Sequence, residues 1–510
     1  MNRGQILMMV VAAMLLFSCS GPSVHRGQAA FPLMDLRGQL EALFADPAFG
    51  NAFWGVLIQS AETGEVIFEC NQNKCFVPAS NMKLFTSAVG LLKLGPEYRY
   101  HTEVYGLGEV DGEGTLQGSL VIRGSGDPTI SGRFNGGRIT AIFQTWAESL
   151  LTQGVRTIAG DVIGDDDIFD DQLLGQGWAW DYQTDWYAAQ ISGLSFNDNC
   201  VDIRIMPAEK EGELARVEIN PATSYVTLNN ALNTCRYLWD GDWRIHRQQG
   251  TNVVHLTGCI ALEDEGYEGW FTVHNPTLFA ATVFREVLVS QGIQVMGEAR
   301  DIDMVDKENV TGYEGIWSPL VIHTSPTMAE IIRVVNKRSQ NYYAEQLLKT
   351  LGAMYKGEGS FSNGIQVVEE TLSEMGVAPG QFVMVDGSGL SRRNFVTPRQ
   401  VVTLLGYMAR HEDYEYFRDS LPIAGVDGTI AMRMRHTHAE MKVRAKTGYV
   451  DRVRALSGYV DSLDGEMFIF SMIVNNYTVP TSLAEDVQDR ACQLLASFSR
   501  RGSFHQKQGS

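Results

Sequence analysis

Two periodicities divide the chain. Between residues 78 and 96 the apolar residues Leu84, Ala88 and Leu91 recur on one helical face, and Gly95-Pro96 supplies a cap and a stop. Ala344, Leu347, Leu348 and Leu351 mark a second helix. A third starts at "NPTLFAATVFREVL", with Asn275 as N-cap and Pro276 at the first helical position, and a fourth lies in "SLAEDVQDRACQLLASF". The strand patterns form hairpins near both ends. "FWGVLIQSAETGEVIFEC" turns at Thr63-Gly64, and "ALSGYV" returns through "DSLDGE" into "MFIFSMIVNN". Shorter strand patterns crowd the middle: "YRYHTEVYG", "GSLVIRG", "CVDIRIMP", "RVEINP" and "NVVHLTG". The ends together predict an α+β unit, an antiparallel sheet covered by helices.

With 510 residues the chain has room for two to four domains. Its formal charge of −19 argues against nucleic acid or an anionic membrane surface as the main partner. At the N-terminus, Arg3 precedes an apolar run from Ile6 to Phe17 that is short for a membrane span. This has the shape of a secretory signal, and Leu16-Phe17-Ser18-Cys19 resembles a bacterial lipobox. The expectation is a lipoprotein-type signal over residues 1–18 with Cys19 lipidated, the alternative being ordinary cleavage nearby; either way the protein is expected to be exported, with no other membrane attachment. In an oxidising compartment the remaining cysteines can pair, and Cys70 and Cys75, flanking "NQNK", suggest a local bridge. No spacing resembles a zinc site, and His436 and His438 read as surface residues, so no metal or cofactor is expected.

Three short motifs carry chemistry. Ser80 and Lys83 lie one turn apart at the start of the first helix, where Ser80 reads either as a capping hydroxyl or as a nucleophile with an amine base in reach. A lysine desolvated there would have a lowered pKa. Ser339 and Asn341 form an S-x-N between the end of one helix and the start of another. Ser195-Phe196-Asn197 repeats that pattern but reads as a turn before a strand. Lys446-Thr447-Gly448 lies in an extended segment, and Gly448 would let a substrate backbone approach the strand closely.

In the order S-x-x-K, S-x-N, K-T-G these are the signature of serine penicillin-recognising enzymes. "PASNMKLFTSA", "RGSGDPTI", "GWAWDY", "NKRSQNYYAEQLLKTLG", "DGSGLSRRNFVTP" and "LPIAGVDGTIAMRM" resemble the D-alanyl-D-alanine carboxypeptidase/endopeptidase family of low-molecular-mass class C penicillin-binding proteins. The resemblance runs from about Phe53 to about Asn476. It implies a penicillin-binding-protein/β-lactamase-like transpeptidase domain of residues 30–98 and 312–499. Two nested β-rich inserts are expected, one of residues 99–182 and 275–311 and one of 183–274, with a disordered tail from 500 to 510.

It further implies that Ser80 attacks the bond between two D-alanines of peptidoglycan stem peptides, and is acylated by β-lactam antibiotics. Lys83 is the base, Ser339 the proton relay beside Lys446, and Asn341 a hydrogen-bonding partner for the substrate backbone. Thr447 holds the terminal carboxylate beside Gly448, and the N–H groups of Ser80 and Tyr449 form an oxyanion hole. Arg392 reads the free end of the peptide side chain, and Trp180 and Asp181, in an aromatic stretch with Trp178 and Tyr187, line the same subsite. Asp386, Gly387 and Gly389 read as turn residues. A β-lactamase and a non-catalytic wall-binding or sensor protein are the rival readings.

Overall fold

A computed structural model describes residues 30–501 apart from 238–241, 307–309, 311, 379 and 381. The proposed signal, Cys19 and the last nine residues of the tail lie outside the described residues.

The N-terminal and C-terminal hairpins meet in one five-stranded sheet. Its order is Val443–Val450, Val453–Asp461, Met467–Asn475, Phe53–Ser60 and Val66–Cys70, with every neighbour antiparallel. Alternate residues of the central strand serve two cores. Phe468, Phe470, Met472 and Val474 pack under the helices Ala30–Phe44 and Thr481–Ala496, whereas Ile469 and Ile473 face the opposite helical layer. A strand buried on both faces reads as a continuous apolar run, which is why "MFIFSMIV" does not alternate.

The opposite layer holds the helices Met82–Leu94, Asn341–Lys356, Phe361–Glu374 and Pro398–Met408. In the first, every residue from Met82 to Leu91 is buried, polar ones included. Its three-residue apolar stripe understates the burial because other helices surround it. Gly95 closes it with φ +85° and an N–H bond to Leu91 O, and Asn275 caps Pro276–Ser290 through Leu278 N.

Among the described residues four further sheets lie between the halves, and all five short strand patterns of the middle are strands. The largest has the order Ala299–Asp301, Val162–Asp165, Ser119–Arg123, His101–Leu107 and Pro319–Thr324. Strands Thr227–Cys235, Val253–Ala261 and Asp242–Arg247 form another, stapled by the Cys235–Cys259 disulfide across 5.7 Å between Cα atoms. The expected Cys70–Cys75 bridge is absent: both thiols are free, and the Cys70 Sγ turns toward Trp54 O at 3.8 Å. Among the described residues no helix is long and apolar enough to cross a membrane.

Candidate active site

Ser80 is not a cap. It sits in a 3₁₀ turn, Ala79–Asn81, ahead of the helix that starts at Met82, and no side chain caps that helix. The turn is pinned from beneath: Asn81 Nδ2 donates to Lys446 O at 2.9 Å and Ser457 Oγ donates to Asn81 Oδ1 at 2.6 Å. The nucleophile turn is therefore riveted to the edge strand that carries K-T-G. Gly448 makes the contact possible, since a Cβ there would stand 2.6 Å from Pro78 O. Gly389 does the same from the other side with φ +81°, where a Cβ would meet Ala79 O. Ala79 and Ser339 themselves hold φ of +47° and +55°, left-handed backbone that a non-glycine residue adopts at a cost.

The three motifs converge. Lys83, wholly buried, places Nζ 2.9 Å from Ser80 Oγ, 2.6 Å from Asn341 Oδ1 and 2.7 Å from Ser388 O. Asn341 donates its Nδ2 to Tyr187 O at 2.7 Å, which fixes Oδ1 toward the lysine. A neutral amine has two N–H bonds and one lone pair. Two oxygens that can only accept take the two N–H bonds, so the lone pair is left for the Ser80 hydroxyl. Lys446, equally buried, donates to Ser339 Oγ at 2.8 Å and Thr447 O at 2.9 Å. Thr447 Oγ1 donates to Thr429 Oγ1 at 2.7 Å.

Ala445 N–H bonds Pro422 O, away from the neighbouring strand. By strand alternation Thr447 and Tyr449 turn their N–H groups to the same free edge. The Tyr449 side chain is exposed, with the Arg454 guanidinium 5.7 Å from its ring.

Burial sets the charges. Desolvation lowers Lys83 to about 7 against the opposing pull of Glu345 and Asp386. Burial, then the Lys83 charge and Arg454, push Lys446 well below its ordinary value. Since the two ammonium forms repel, a neutral Lys83 favours the proton on Lys446. Burial and the neighbouring Asp386 raise Glu345 to about 8.

Behind the lysine stands a layer that no motif announces. Glu345 accepts from Gly387 N at 2.6 Å and Ser388 N at 2.8 Å, so it aims the Ser388 carbonyl at Lys83. Asp386 accepts from Gly389 N, Ser391 N, Asn394 Nδ2 and Trp178 Nε1 at 2.6–2.9 Å. Both acids lie in stretches that carry the family resemblance, and Glu345 is a buried acid on a helix otherwise marked by leucines. Thr429 lies in another such stretch, "LPIAGVDGTIAMRM".

The remaining candidates are peripheral. Arg392 is exposed and donates to Asp451 O at 2.6 Å, just past the end of the edge strand. Trp178 and Gln176 are bonded to the 386–391 loop. Trp180, two residues on, is 78% exposed, and Asp181 is exposed beside it. Ser195 is buried and accepts from Gln346 Nε2, with no contact to Ser80.

The model of the D-Ala-D-Ala carboxypeptidase 3 (S13) family matches residues 36–498. The chain belongs to that family. It is similar to the D-alanyl-D-alanine carboxypeptidase of Actinomadura sp., at 35% identity over 481 residues, 92% of this chain and 85% of the relative. The D-alanyl-D-alanine carboxypeptidase DacB of Haemophilus influenzae is 26% identical over 435 residues, 83% of this chain and 85% of its own. The crystal structure of penicillin binding protein 4 from Haemophilus influenzae shares the fold, with TM-score 0.76 and 24% identity over 90% of this chain and 98% of that one. A second structure of that protein holds a β-lactam and matches with TM-score 0.71 and 22% identity, covering 89% of this chain and 97% of that one. The carboxypeptidase is thus a serine-type hydrolase with a transpeptidase-like fold and added sheet-rich regions.

Proposed function

We propose that the carboxypeptidase acts on peptidoglycan stem peptides through an acyl-enzyme at Ser80, removing the terminal D-alanine and opening D-alanyl cross-links. The observation that carries this reading is the Lys83 amine, whose two N–H bonds are taken by Asn341 and Ser388 and whose lone pair is left to Ser80. Lys83 takes the serine proton as Oγ attacks the carbonyl. Ser339, bonded to Lys446, returns a proton to the leaving amine. Thr447, with Lys446 behind it, holds the terminal carboxylate, and Asn341 faces the substrate backbone. The N–H groups of Ser80 and Tyr449 receive the oxyanion, an arrangement in which one donor contributes about 3 kcal/mol. Water then releases the peptide. β-Lactams, which one solved relative holds, acylate the same serine. We assign the chemistry to the two ends of the chain and export through the proposed signal to its N-terminus.

A fluorescent penicillin tests the scheme. A label that survives denaturing electrophoresis is expected. Rapid loss of label would favour a β-lactamase, and no label a non-catalytic wall-binding protein. Because burial lowers Lys83 to about 7 and the base must be neutral, acylation should rise with pH through about 7 and level off above it. Below that, each unit of pH should cost about tenfold in rate. A stopped-flow profile that is flat from pH 5 to 9 would contradict a lysine base.

Arg392, at the end of the edge strand, is assigned to the carboxylate at the free end of the peptide side chain. Arg392→Ala should reduce about tenfold the preference for a peptide carrying that carboxylate over an acetyl-lysine mimic. Acylation by a simple penicillin should not change. Equal losses on all substrates would make Arg392 structural.

A further inference from the structure

A cavity of about 510 Å³ opens beside the Ser339 turn. Arg338 and Gln340, the residues on either side of Ser339, line it. The far wall holds Trp186 and Trp270, which are 36% and 52% exposed, with ring centroids 6.3 Å apart and planes at 69°. Trp186 is anchored on both sides. Its neighbour Tyr187 offers the carbonyl that takes the Asn341 amide, and the backbone of Asp185 bridges to Phe271 beside Trp270. The floor is an ion pair of Arg133 and Asp198 at 2.5 Å, and Gln340 Nε2 donates to the same carboxylate at 2.8 Å. The cavity is therefore coupled rigidly to the S-x-N turn.

Its lining carries two arginines and two acids. Arg133 is satisfied by Asp198 and Asp202 accepts from Asn197 Nδ2, but the exposed Arg338 guanidinium has no carboxylate in ion-pair range among the described residues. A free guanidinium at the mouth of a pocket with two aromatic faces suits an anionic ligand with an apolar body. A volume of this size is ordinary for a specific ligand site.

Position decides which ligand. Gln340 stands between Ser339, which hands the proton to the leaving amine, and Asn341, which faces the substrate backbone; Arg338 lies beyond Ser339, and we take its end of the cavity as the leaving side of the scissile bond. A departing D-alanine ends at its carboxylate, which Thr447 holds. A departing group that is itself a stem peptide runs on past the turn and carries further carboxylates.

We propose that this cavity is the subsite for the leaving strand of a cross-linked substrate, with Arg338 pairing a carboxylate of that strand and Trp186 and Trp270 flanking its apolar parts. The inference rests on the assignment of Ser339 to the leaving group. In the reaction the amide C–N bond to the second strand breaks, its acyl carbon bonds Ser80 Oγ, and the serine proton leaves on the amine. Hydrolysis of the ester then consumes one water and restores Ser80.

The test compares kcat/KM of the full chain on three substrates. They are a linear peptide ending in D-Ala-D-Ala, a cross-linked dimer of stem peptides with free carboxylates on the leaving strand, and the same dimer with only the carboxylates beyond the one Thr447 holds amidated. Arg338→Gln is expected to lower cleavage of the free-carboxylate dimer about tenfold or more, and to leave the amidated dimer and the linear peptide within about twofold. Trp270→Ala should lower both dimers and spare the linear peptide. The subsite is overturned if the linear peptide is cleaved normally while the ratio of dimer to linear rates is the same in wild type and variants, or if wild type leaves the dimer intact. A parallel fall on all three substrates likewise overturns it, showing a support for the Ser339 turn. A wild-type enzyme that releases no D-alanine from the linear peptide would instead overturn the catalytic assignment, and the subsite with it.

Discussion

Replacing Lys83 is expected to slow acylation by penicillin and by peptide at least about a hundredfold, the scale of a positioned general base. Two variants are needed because of where the lysine sits. Lys83 is fully buried and donates to Asn341 Oδ1 and Ser388 O, so Lys83→Ala leaves a cavity and two acceptors without a donor. Each orphaned acceptor costs about 1–3 kcal/mol. Lys83→Met strands the same two acceptors but fills the volume, so its loss of rate is free of the cavity and reports the proton transfer more cleanly. Circular dichroism establishes that each variant is folded, and stopped-flow acylation then gives the rate. A folded Lys83→Met protein that acylates at the wild-type rate would remove Lys83 from the role of base and pass it to another group near Ser80 Oγ.

That burial marks the limit of what periodicity conveys. The spacing of Leu84, Ala88 and Leu91 indicates a helix with one buried face, yet helices on several sides bury the polar residues of Met82–Leu91 too. The short motifs were readable because each packs its residues within a turn of helix or a few residues of strand. Ser80 reaches Lys83 across three residues, and Lys446 and Thr447 are neighbours on an edge strand. The hairpin at Thr63-Gly64 and the Asn275 cap were readable for the same local reason.

Contacts between distant segments left no such trace. The Cys235–Cys259 pairing depends on two strands, 227–235 and 253–261, that lie side by side with a third strand hydrogen-bonded to one of them. The cavity beside Ser339 combines residues from five separate stretches. Asp386 looks in sequence like one more turn residue in "DGSGLS", because its partners arrive from Trp178 and from the far end of its own loop.

Asp386 therefore supports the second large effect. Its carboxylate is wholly buried and receives four donors, two from backbone N–H groups, one from Asn394 and one from Trp178. Asp386→Ala strands all four at once. At roughly 1 kcal/mol for each donor, the loss sums to about 4 kcal/mol. Trp178→Phe removes a single donor and keeps a smaller aromatic ring in its place, so it should cost only about 1 kcal/mol. Asp386→Asn retains an acceptor but opposes its amide N–H to donors on the other side, and should fall between the two.

The damage should also reach the chemistry. The 386–391 loop carries the Ser388 carbonyl that orients Lys83, so slack in the loop releases one of the two N–H bonds that aim the lone pair at Ser80. Thermal unfolding midpoints should rank wild type above Trp178→Phe, then Asp386→Asn, then Asp386→Ala, and acylation rates at a temperature where all four are folded should follow the same order. If Asp386→Ala melts with Trp178→Phe, the carboxylate is not the keystone of the loop. If it melts early but acylates normally, the loop holds the fold together without positioning the base.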